Sequence, residues 1–371
     1  MAKKLTSGIL LVEGGAQDVH LRYLTGFSAP DPVVAVVRGS RISLMVSLLE
    51  FGRAQQTARV SRVVTPQLLG LTGPAAGSLA AWAKALIRDE GLRQVRVAAS
   101  FPVGIADTLR RAHIGVDVAT GPLLPQRRRK REDEVAAIAQ TQRAAVKAMK
   151  LAMRIIKEAD VDARGYLRQS RHRLTAERVR SAIEQCLLTA DCSATETIVA
   201  GHTQGADPHE RGHGPLPAGY PIVIDIFPRH KATGYWGDIT RTVIPGTPLP
   251  EVRRMWRAVA AAQRAALRTL RAGISVKRVH TTAQSVLRAH GFETTVKNGW
   301  GEGFIHSTGH GVGLEIHEVP SLNLSANRLR SGDVVTVEPG LYYKAYGGVR
   351  IEDTVCVTPA GFQWLARCPY R

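Results

Sequence analysis

The chain has 371 residues, of which 44% are hydrophobic and 22% are charged, and its formal net charge is +19. This length allows two domains and the composition is ordinary for a globular protein, so disorder is not expected. No apolar stretch nears the roughly 20 residues of a membrane span, and the apolar run at 9–12 is shorter than the roughly 7–15 residues of a secretory signal. The four cysteines form no CxxC pair. We therefore expect reduced thiols, a cytoplasmic location and no membrane partner.

The positive charge raises the question of an anionic partner, because clustered Lys and Arg side chains neutralise phosphates. Only Arg127–Arg131 forms a basic run, and the remaining positive charge is spread along the chain. No compact nucleic-acid-binding motif is present. Nucleic acid is therefore kept only as a less favoured partner.

The first part of the chain, about 5–124, mixes short strands and helices. Segment 32–47 predicts a β-hairpin that turns at Arg38–Arg41, and 95–100 predicts a short strand. Apolar spacing predicts helices over 79–87 and 104–111.

A linker is predicted at 121–133, where two prolines and a glycine precede five consecutive basic residues. We place a smaller domain at 1–125 and a second domain at 126–371. Asp133 is predicted to cap a long Ala-rich helix. The second domain is expected to open with helices near 133–159 and 175–190, and then to alternate strands with helices near Arg253–Ala272 and Val276–His290.

Three carboxylates of the second domain stand in strands that are otherwise fit for burial. Asp225 lies in PIVIDIF, Glu338 in GDVVTVEPG and Glu352 in GVRIEDTVCV. An unpaired buried carboxylate is costly, so such groups must be protonated, paired with cations or bound to metal. One such group would usually be a salt bridge, but several in one domain favour a shared explanation.

A fourth carboxylate, Asp238, follows a loop that contains Pro228 and Gly234. If this loop turns near Lys231 and Ala232, Asp225 and Asp238 lie opposite each other on antiparallel strands. Like charges at that separation destabilise a sheet unless cations lie between them. An exposed hairpin with two ordinary aspartates is the alternative for this pair alone.

The segment HSTGHGVGLEIHEVP places His306, His310 and His317 among glycines. Glycine at Gly309, Gly311 and Gly313 disfavours a helix, and it lets the backbone approach a metal or substrate closely. We interpret this segment as a loop that carries functional histidines.

The stretch from His209 to His213 matches the HExxH pattern of zinc peptidases literally. That mechanism needs both histidines on one face of a helix. Prolines and glycines surround the stretch, so a helix and the HExxH interpretation are both rejected.

In order and approximate spacing, IDIFPRHKATGYWGDITRT, HSTGHGVGLEIHE, VTVEPGLYY and GGVRIEDT resemble the M24, or pita-bread, metallopeptidases. The chain looks most like prolidase and aminopeptidase P, and the GVRIED form separates it from methionine aminopeptidases. The resemblance covers about 130–365. The first part is more weakly similar to the creatinase/prolidase N-terminal domain, through RYLTGF at 22–27. It implies an α+β protein with a pita-bread catalytic domain after a smaller α/β domain.

The resemblance also implies roles for individual residues. Asp225 would hold one metal, Asp238 and Glu352 would bridge both, and His310 and Glu338 would hold the other. Glu338 would also act as general base or acid on the bridging hydroxide, with His209 and His317 contacting the substrate and the tetrahedral intermediate. His306, Tyr342 and Arg350 match positions that line the proline-side pocket.

Two departures from the family pattern concern the Asp225–Asp238 interval. The interval is two residues longer than expected, which keeps strand parity but alters the hairpin tip. The usual glycine shortly after the first aspartate is replaced by Ile226, Phe227 and Pro228.

The expected activity is metal-dependent hydrolysis of Xaa-Pro bonds in dipeptides or short peptides. The resemblance also implies a homodimer. Four carboxylates and one imidazole suit two divalent ions, with Mn²⁺ favoured and Co²⁺ or Zn²⁺ as alternatives. Two other hypotheses stay open: a hydrolase or lyase acting on a small non-peptide substrate at the same metal site, and a basic nucleic-acid-binding member of the fold.

Overall fold

The computed structural model describes residues 7–15, 18–194 and 196–370, apart from the side chain of Lys297. The chain divides into two compact units between Arg127 and Arg128. In the described ranges, no helix combines the length and the apolar character needed to cross a membrane.

The first unit is a mixed sheet with helices. Its elements are β1 (Ser7–Glu13), α1 (Val19–Thr25), β2 (Val33–Arg38), β3 (Arg41–Met45), α2 (Leu48–Thr57), β4 (Arg62–Val64), α3 (Leu79–Asp89), β5 (Gln94–Val97), α4 (Val103–Arg111) and β6 (Gly115–Val118). The strand order is β4-β3-β2-β1-β5-β6. The β1–β2 and β2–β3 pairs are antiparallel, and the other three pairs are parallel.

The predicted hairpin at 32–47 is confirmed. Strands β2 and β3 pair antiparallel with Arg38 opposite Arg41, and Gly39 takes a positive φ of 61° in the turn. The predicted strand at 95–100 and the helices at 79–87 and 104–111 correspond to β5, α3 and α4.

The second unit begins with helices and continues with short antiparallel strands. Its elements are α5 (Glu132–Lys157), β7 (Asp160–Val161), β8 (Leu167–Gln169), β9 (His172–Arg173), α6 (Ala176–Leu188), β10 (Cys192–Ser193), β11 (Ile198–Gly201), β12 (Ile222–Ile226), β13 (Arg229–His230), β14 (Ile239–Val243), α7 (Pro250–Thr269), α8 (Val276–Ala289), β15 (Thr295–Lys297), β16 (Trp300–Glu302), β17 (Val334–Val337), β18 (Gly340–Tyr343), β19 (Gly347–Arg350), β20 (Asp353–Val357) and β21 (Phe362–Trp364). The α+β class expected from the sequence is confirmed.

The start of α5 differs from its prediction. The helix begins at Glu132 with Arg131 as its N-cap, so Asp133 lies inside the first turn instead of capping it. The side chain of Glu134 accepts a hydrogen bond from the backbone N–H of Arg131 at 3.0 Å and closes the helix start. Asp133 pairs with Arg131 instead, at a helix end where negative charge is favourable.

Two helix pairs cover two groups of strands in the second unit. Helices α5 and α6 share a core with the sheet β11-β12-β14, and helices α7 and α8 share a core with β17–β20. In β12, Ile222, Ile224 and Ile226 face the core of α5 and α6. Because side chains alternate along a strand, Val223 and Asp225 face the other way. The helices therefore bury one face of the strands and leave the opposite face for a site.

Candidate metal centre

A cavity of about 720 Å³ lies on that opposite face of the strands in the second unit. All five residues predicted to bind metal line this cavity: Asp225, Asp238, His310, Glu338 and Glu352. His209, His306, His317 and Arg350 line it as well. Apolar side chains form the other part of the wall, contributed by Ile198, Pro208, Phe227, Ile305, Ile316 and Val319. The structure therefore brings nearly all the sequence-predicted site residues into one cavity.

The hairpin β12–β14 supplies Asp225 and Asp238, but its register differs from the expected one. Asp225 pairs with Thr240, and the same register places Asp238 across from Phe227. The turn is centred between Ala232 and Thr233, one residue later than expected. Moving a turn by one residue moves the pairing by two, so Asp225 and Asp238 are diagonal neighbours on one face.

His310 is held by a loop that packs directly on β17. A Cβ atom at Gly309 would lie 2.1 Å from the Thr336 carbonyl oxygen, so a side chain is excluded there. The carbonyl oxygen of His310 accepts the backbone N–H of Thr336 at 2.8 Å, and the backbone N–H of His310 donates to the Thr336 hydroxyl at 3.1 Å. The Nδ1 atom of His310 lies 3.1 Å from the Gly311 carbonyl oxygen. A proton on Nδ1 donates to this carbonyl and leaves Nε2 to face the carboxylates.

The two glutamates lie at strand ends. Glu338 follows β17, and its Oε1 is 3.2 Å from Nε2 of His310 and 3.2 Å from the Thr336 hydroxyl. Glu352 lies between β19 and β20, and its Oε2 accepts a hydrogen bond of 2.7 Å from the Thr240 hydroxyl. Thr240 also accepts the backbone N–H of Glu352 through its carbonyl oxygen. The sequence predicted that both glutamates lie within strands, whereas the structure has them just beyond the strand ends.

Burial and mutual repulsion dominate the electrostatics of the cluster. Burial raises the pKa of Asp238 well above its usual range, and the charge of Asp225 raises it further. Burial and the charge of Asp238 act in the same way on the pKa of Glu352. Burial also raises the pKa of Glu338, but the hydrogen bond and charge of His310 outweigh burial and hold that pKa at about 2. Positive charge placed among these groups is therefore stabilising.

The donor atoms fit a divalent cation. Two carboxylate oxygens and one imidazole nitrogen, from Asp238, Glu352 and His310, lie within 4.8 Å of one another. The Oδ1 of Asp225 and the Oε1 of Glu352 are buried without a hydrogen-bond partner in the part of the chain that the structure describes. Buried carboxylate oxygens of this kind are normally satisfied by a donor or a metal. Carboxylate oxygens with one imidazole suit hard or borderline divalent ions.

Two further histidines, His209 and His317, line the same cavity as the cluster. The ring of His317 makes an edge contact with His310, with ring centroids 4.3 Å apart. His209 lies in a non-helical stretch after Asp207, whose side chain accepts its backbone N–H. The rejection of a helical HExxH site is confirmed, and the side chain of His213 is 75% exposed.

A chain of hydrogen bonds links the expected proline-side residues. Nδ1 of His306 lies 2.7 Å from the Ser307 carbonyl oxygen, so Nε2 accepts from the Tyr342 hydroxyl at 2.9 Å. Arg350 donates to the same hydroxyl at 2.7 Å, and to Oδ2 of Asp225 at 2.7 Å. His306 and Arg350 line the cavity, whereas Tyr342 is fully buried behind them.

Sequence reasoning did not single out the apolar wall or the threonine that holds Glu352. Parity on β12 already placed Phe227 on the face of Asp225, and this signal could have identified it. The contact between Thr240 and Glu352 joins residues 112 positions apart in the chain. No local pattern announces a contact of that kind.

Comparison with known proteins places these features in a family context. The model of metallopeptidase family M24 matches residues 136–359. An Xaa-Pro dipeptidase of Pyrococcus furiosus is 36% identical over 180 residues, which are 48% of this chain and 49% of that protein. An Xaa-Pro dipeptidase of Pyrococcus horikoshii is 28% identical over 356 residues, which are 95% of this chain and 91% of that protein.

Solved structures extend the likeness to the whole fold. The prolidase from Pyrococcus horikoshii superposes with a TM-score of 0.81 at 26% identity, covering 98% of this chain and 94% of that chain. An X-Pro aminopeptidase from Thermotoga maritima has a TM-score of 0.80 at 23% identity, covering 99% and 97%. The expected pita-bread fold is confirmed.

Proposed function

The chain belongs to metallopeptidase family M24, and on this premise we propose that it hydrolyses the peptide bond between an N-terminal residue and proline. Membership of this family makes it a metal-dependent enzyme. The observation that carries the proposal is the cavity in which four carboxylates and His310 meet beside His306 and Arg350. The relatives named for Xaa-Pro dipeptide cleavage support the choice of substrate.

In this proposal the cluster holds two divalent ions. Asp225 would hold one ion, His310 and Glu338 would hold the other, and Asp238 and Glu352 would be shared by both. Support comes from the two buried carboxylate oxygens that have no hydrogen-bond partner among the described residues. Mn²⁺ is the proposed ion, with Co²⁺ or Zn²⁺ as alternatives, and a homodimer is the proposed assembly.

When bound, two divalent ions would acidify a water and polarise the carbonyl of the scissile bond. Glu338, which lies beside His310 at the wall of the cavity, would accept the proton of the attacking water. The water oxygen bonds to the carbonyl carbon, the carbon–nitrogen bond breaks, and Glu338 returns the proton to the proline nitrogen. His209 and His317 hold the substrate carbonyl and the tetrahedral intermediate.

The proline side is formed by His306 and Arg350. Tyr342 acts through them: its hydroxyl donates to Nε2 of His306 and accepts from Arg350. These two hydrogen bonds fix the ring of His306 and the guanidinium of Arg350 before substrate enters. The nitrogen of an Xaa-Pro bond carries no hydrogen, so this wall needs no hydrogen-bond acceptor for it.

The replacement Asp238→Asn tests the proposal. It removes one negative ligand from the centre of the cluster, so bound metal and activity on Ala-Pro and Ala-Pro-Leu are expected to fall together. Removing a residue that hydrogen-bonds to a metal ligand lowers metal affinity or activity roughly 10–100-fold. Loss of a ligand itself should therefore lower both by at least about 100-fold. Metal content by elemental analysis and peptide cleavage are measured on the same sample.

Asp191→Asn is the matched control, because it makes the same chemical change at a side chain that is 56% exposed and outside the cavity. It should keep full metal content and activity. Unchanged turnover in Asp238→Asn, or activity of the unaltered protein without any metal, would refute the proposed function.

A further inference from the structure

A second cavity adjoins the first at the side of His306. Its volume is about 380 Å³, and it shares Ile305, His306 and Ser307 with the larger cavity. Its other lining residues include Asn323 and Leu324. The two cavities are therefore neighbouring parts of one cleft.

The position of the second cavity relative to the substrate follows from His306. In the proposed function His306 lies on the proline side, away from the N-terminal residue of the peptide. A chain that continues beyond proline and past His306 enters the space lined by Ile305 and Leu324. The second cavity is thus placed to receive the residue that follows proline.

The walls of the second cavity are apolar or neutral, and they include His280 and His306, whose pKa values are lowered by burial. Ile305 and Leu324 are 38% and 59% exposed, which is high for large apolar side chains. The side chain of Asn323 accepts the backbone N–H of Ser325 at 2.9 Å. No lysine or arginine lines this cavity within the described part of the chain. Such a surface suits the side chain and the backbone of a residue that follows proline.

Arg350, the guanidinium on the wall of the larger cavity, is already engaged. It is 4% exposed, and its two terminal nitrogens donate to Tyr342 and Asp225. The carboxylate of a dipeptide would have to compete with Tyr342 and Asp225 for these donors. A longer peptide has a neutral amide at this place, which is less costly to bury without a cation.

We infer that the preferred substrates are peptides of three or more residues, with the residue after proline seated between Ile305 and Leu324. This inference rests on the proposed function and narrows its substrate class. Water adds across the Xaa–Pro bond as before, and the products are one free amino acid and a peptide that begins with proline.

The first experiment compares Ala-Pro, Ala-Pro-Gly and Ala-Pro-Leu with the metal-loaded full chain. The expected kcat/KM rises at least about tenfold from Ala-Pro to Ala-Pro-Gly, because a neutral amide replaces the carboxylate, and rises again for Ala-Pro-Leu. Equal or faster cleavage of Ala-Pro overturns the inference and leaves the proposed function intact. Cleavage of none of the three overturns both.

The second experiment uses Leu324→Asp. A charged side chain in this wall should lower kcat/KM for Ala-Pro-Leu by about fivefold to tenfold, because the apolar contact of the third residue is lost. Ala-Pro-Gly, which has no third side chain, should change much less. Leu324→Ala should give the same direction with a smaller effect.

Leu188→Asp is the matched control, because Leu188 is 61% exposed and lines neither cavity. It should leave all three peptides unchanged. Equal losses on Ala-Pro-Gly and Ala-Pro-Leu in Leu324→Asp, or no loss on either, would show that the third residue does not lie against Leu324.

Discussion

Asp225 and Glu352 each hold one carboxylate oxygen in a hydrogen bond and leave the other oxygen buried without a partner. Arg350 holds the first residue and Thr240 the second. The held oxygen fixes the rotamer of each carboxylate, and the second oxygen is left to face the cluster. At the scale of single residues, the protein therefore orients its candidate ligands before any ion binds.

Tyr342→Phe tests the chain of hydrogen bonds from Arg350 to His306. The change removes the donor to His306 and the acceptor for Arg350, and both partners are buried or partly buried. Leaving such a group unsatisfied costs about 1–3 kcal/mol, so kcat/KM on Ala-Pro-Leu should fall by roughly 10-fold or more. Metal content, measured on the same sample, should stay constant because Tyr342 is not a proposed ligand.

Tyr343→Phe serves as the control for this change. Its hydroxyl donates to the Glu293 carbonyl at 3.3 Å, outside the cavity. A loss of activity as large as that of Tyr342→Phe would mean that the chain of hydrogen bonds does not position the proline-side residues.

The hairpin β12–β14 and the loop before β17 are the elements that build the cluster. The turn of the hairpin lies one residue later than the position near Lys231 and Ala232 that was expected from the sequence. Its core side is fixed by Ile222, Ile224 and Ile226, so the opposite face must carry Asp225. A slip by two residues preserves this division, and that is why the ligand face was predictable while the pairing was not.

Gly309→Ala tests the close approach of the loop to β17. The new Cβ would lie 2.1 Å from the Thr336 carbonyl oxygen, so the loop must move and carry His310 with it. Overpacking typically costs about 1–3 kcal/mol of unfolding free energy. We expect a loss of stability in this range by denaturant unfolding, together with weaker metal binding by calorimetric titration.

Gly361→Ala is the matched change, since nothing lies within 4 Å of a Cβ at that position. It should alter neither stability nor metal binding appreciably. Normal metal affinity in Gly309→Ala would contradict the argument that Gly309 positions His310.

At the scale of the whole molecule, the basic run 127–131 shows how charge is used inside the second unit. Arg128 pairs with the buried Asp333 at 2.8 Å, and Lys130 pairs with Glu318. Arg131 pairs with Asp133. Part of a run that suggested an anionic partner therefore serves ion pairs within the fold.

Removal of metal should lower the stability of the whole protein. Ions that bind only the folded state stabilise it by about 2.7 kcal/mol at one hundred times Kd. For a protein of 371 residues, whose unfolding entropy is about 0.8 kcal/mol/K, that corresponds to a shift of roughly 3–4 °C in the unfolding temperature. Calorimetry before and after chelation should show this shift, and re-addition of metal should reverse it.

The same chelation should leave Asp238→Asn nearly unshifted, because this variant is expected to bind little metal, while Asp191→Asn should respond like the unaltered chain. An unfolding temperature that ignores chelation in the unaltered protein would contradict the coupling between metal and fold.

The sequence by itself determined the family through the resemblance of its motifs to the M24 metallopeptidases, and this resemblance implied the α+β class and the residues that meet in the cavity. Local patterns pointed to the same region: charged residues in apolar strands and glycines around histidines. Only the tertiary structure decided the register of Asp225 with Thr240, the burial of Tyr342 and the second cavity beside His306. Each of these depends on contacts between distant parts of the chain, and a local pattern constrains which face a side chain takes but not which neighbour it meets.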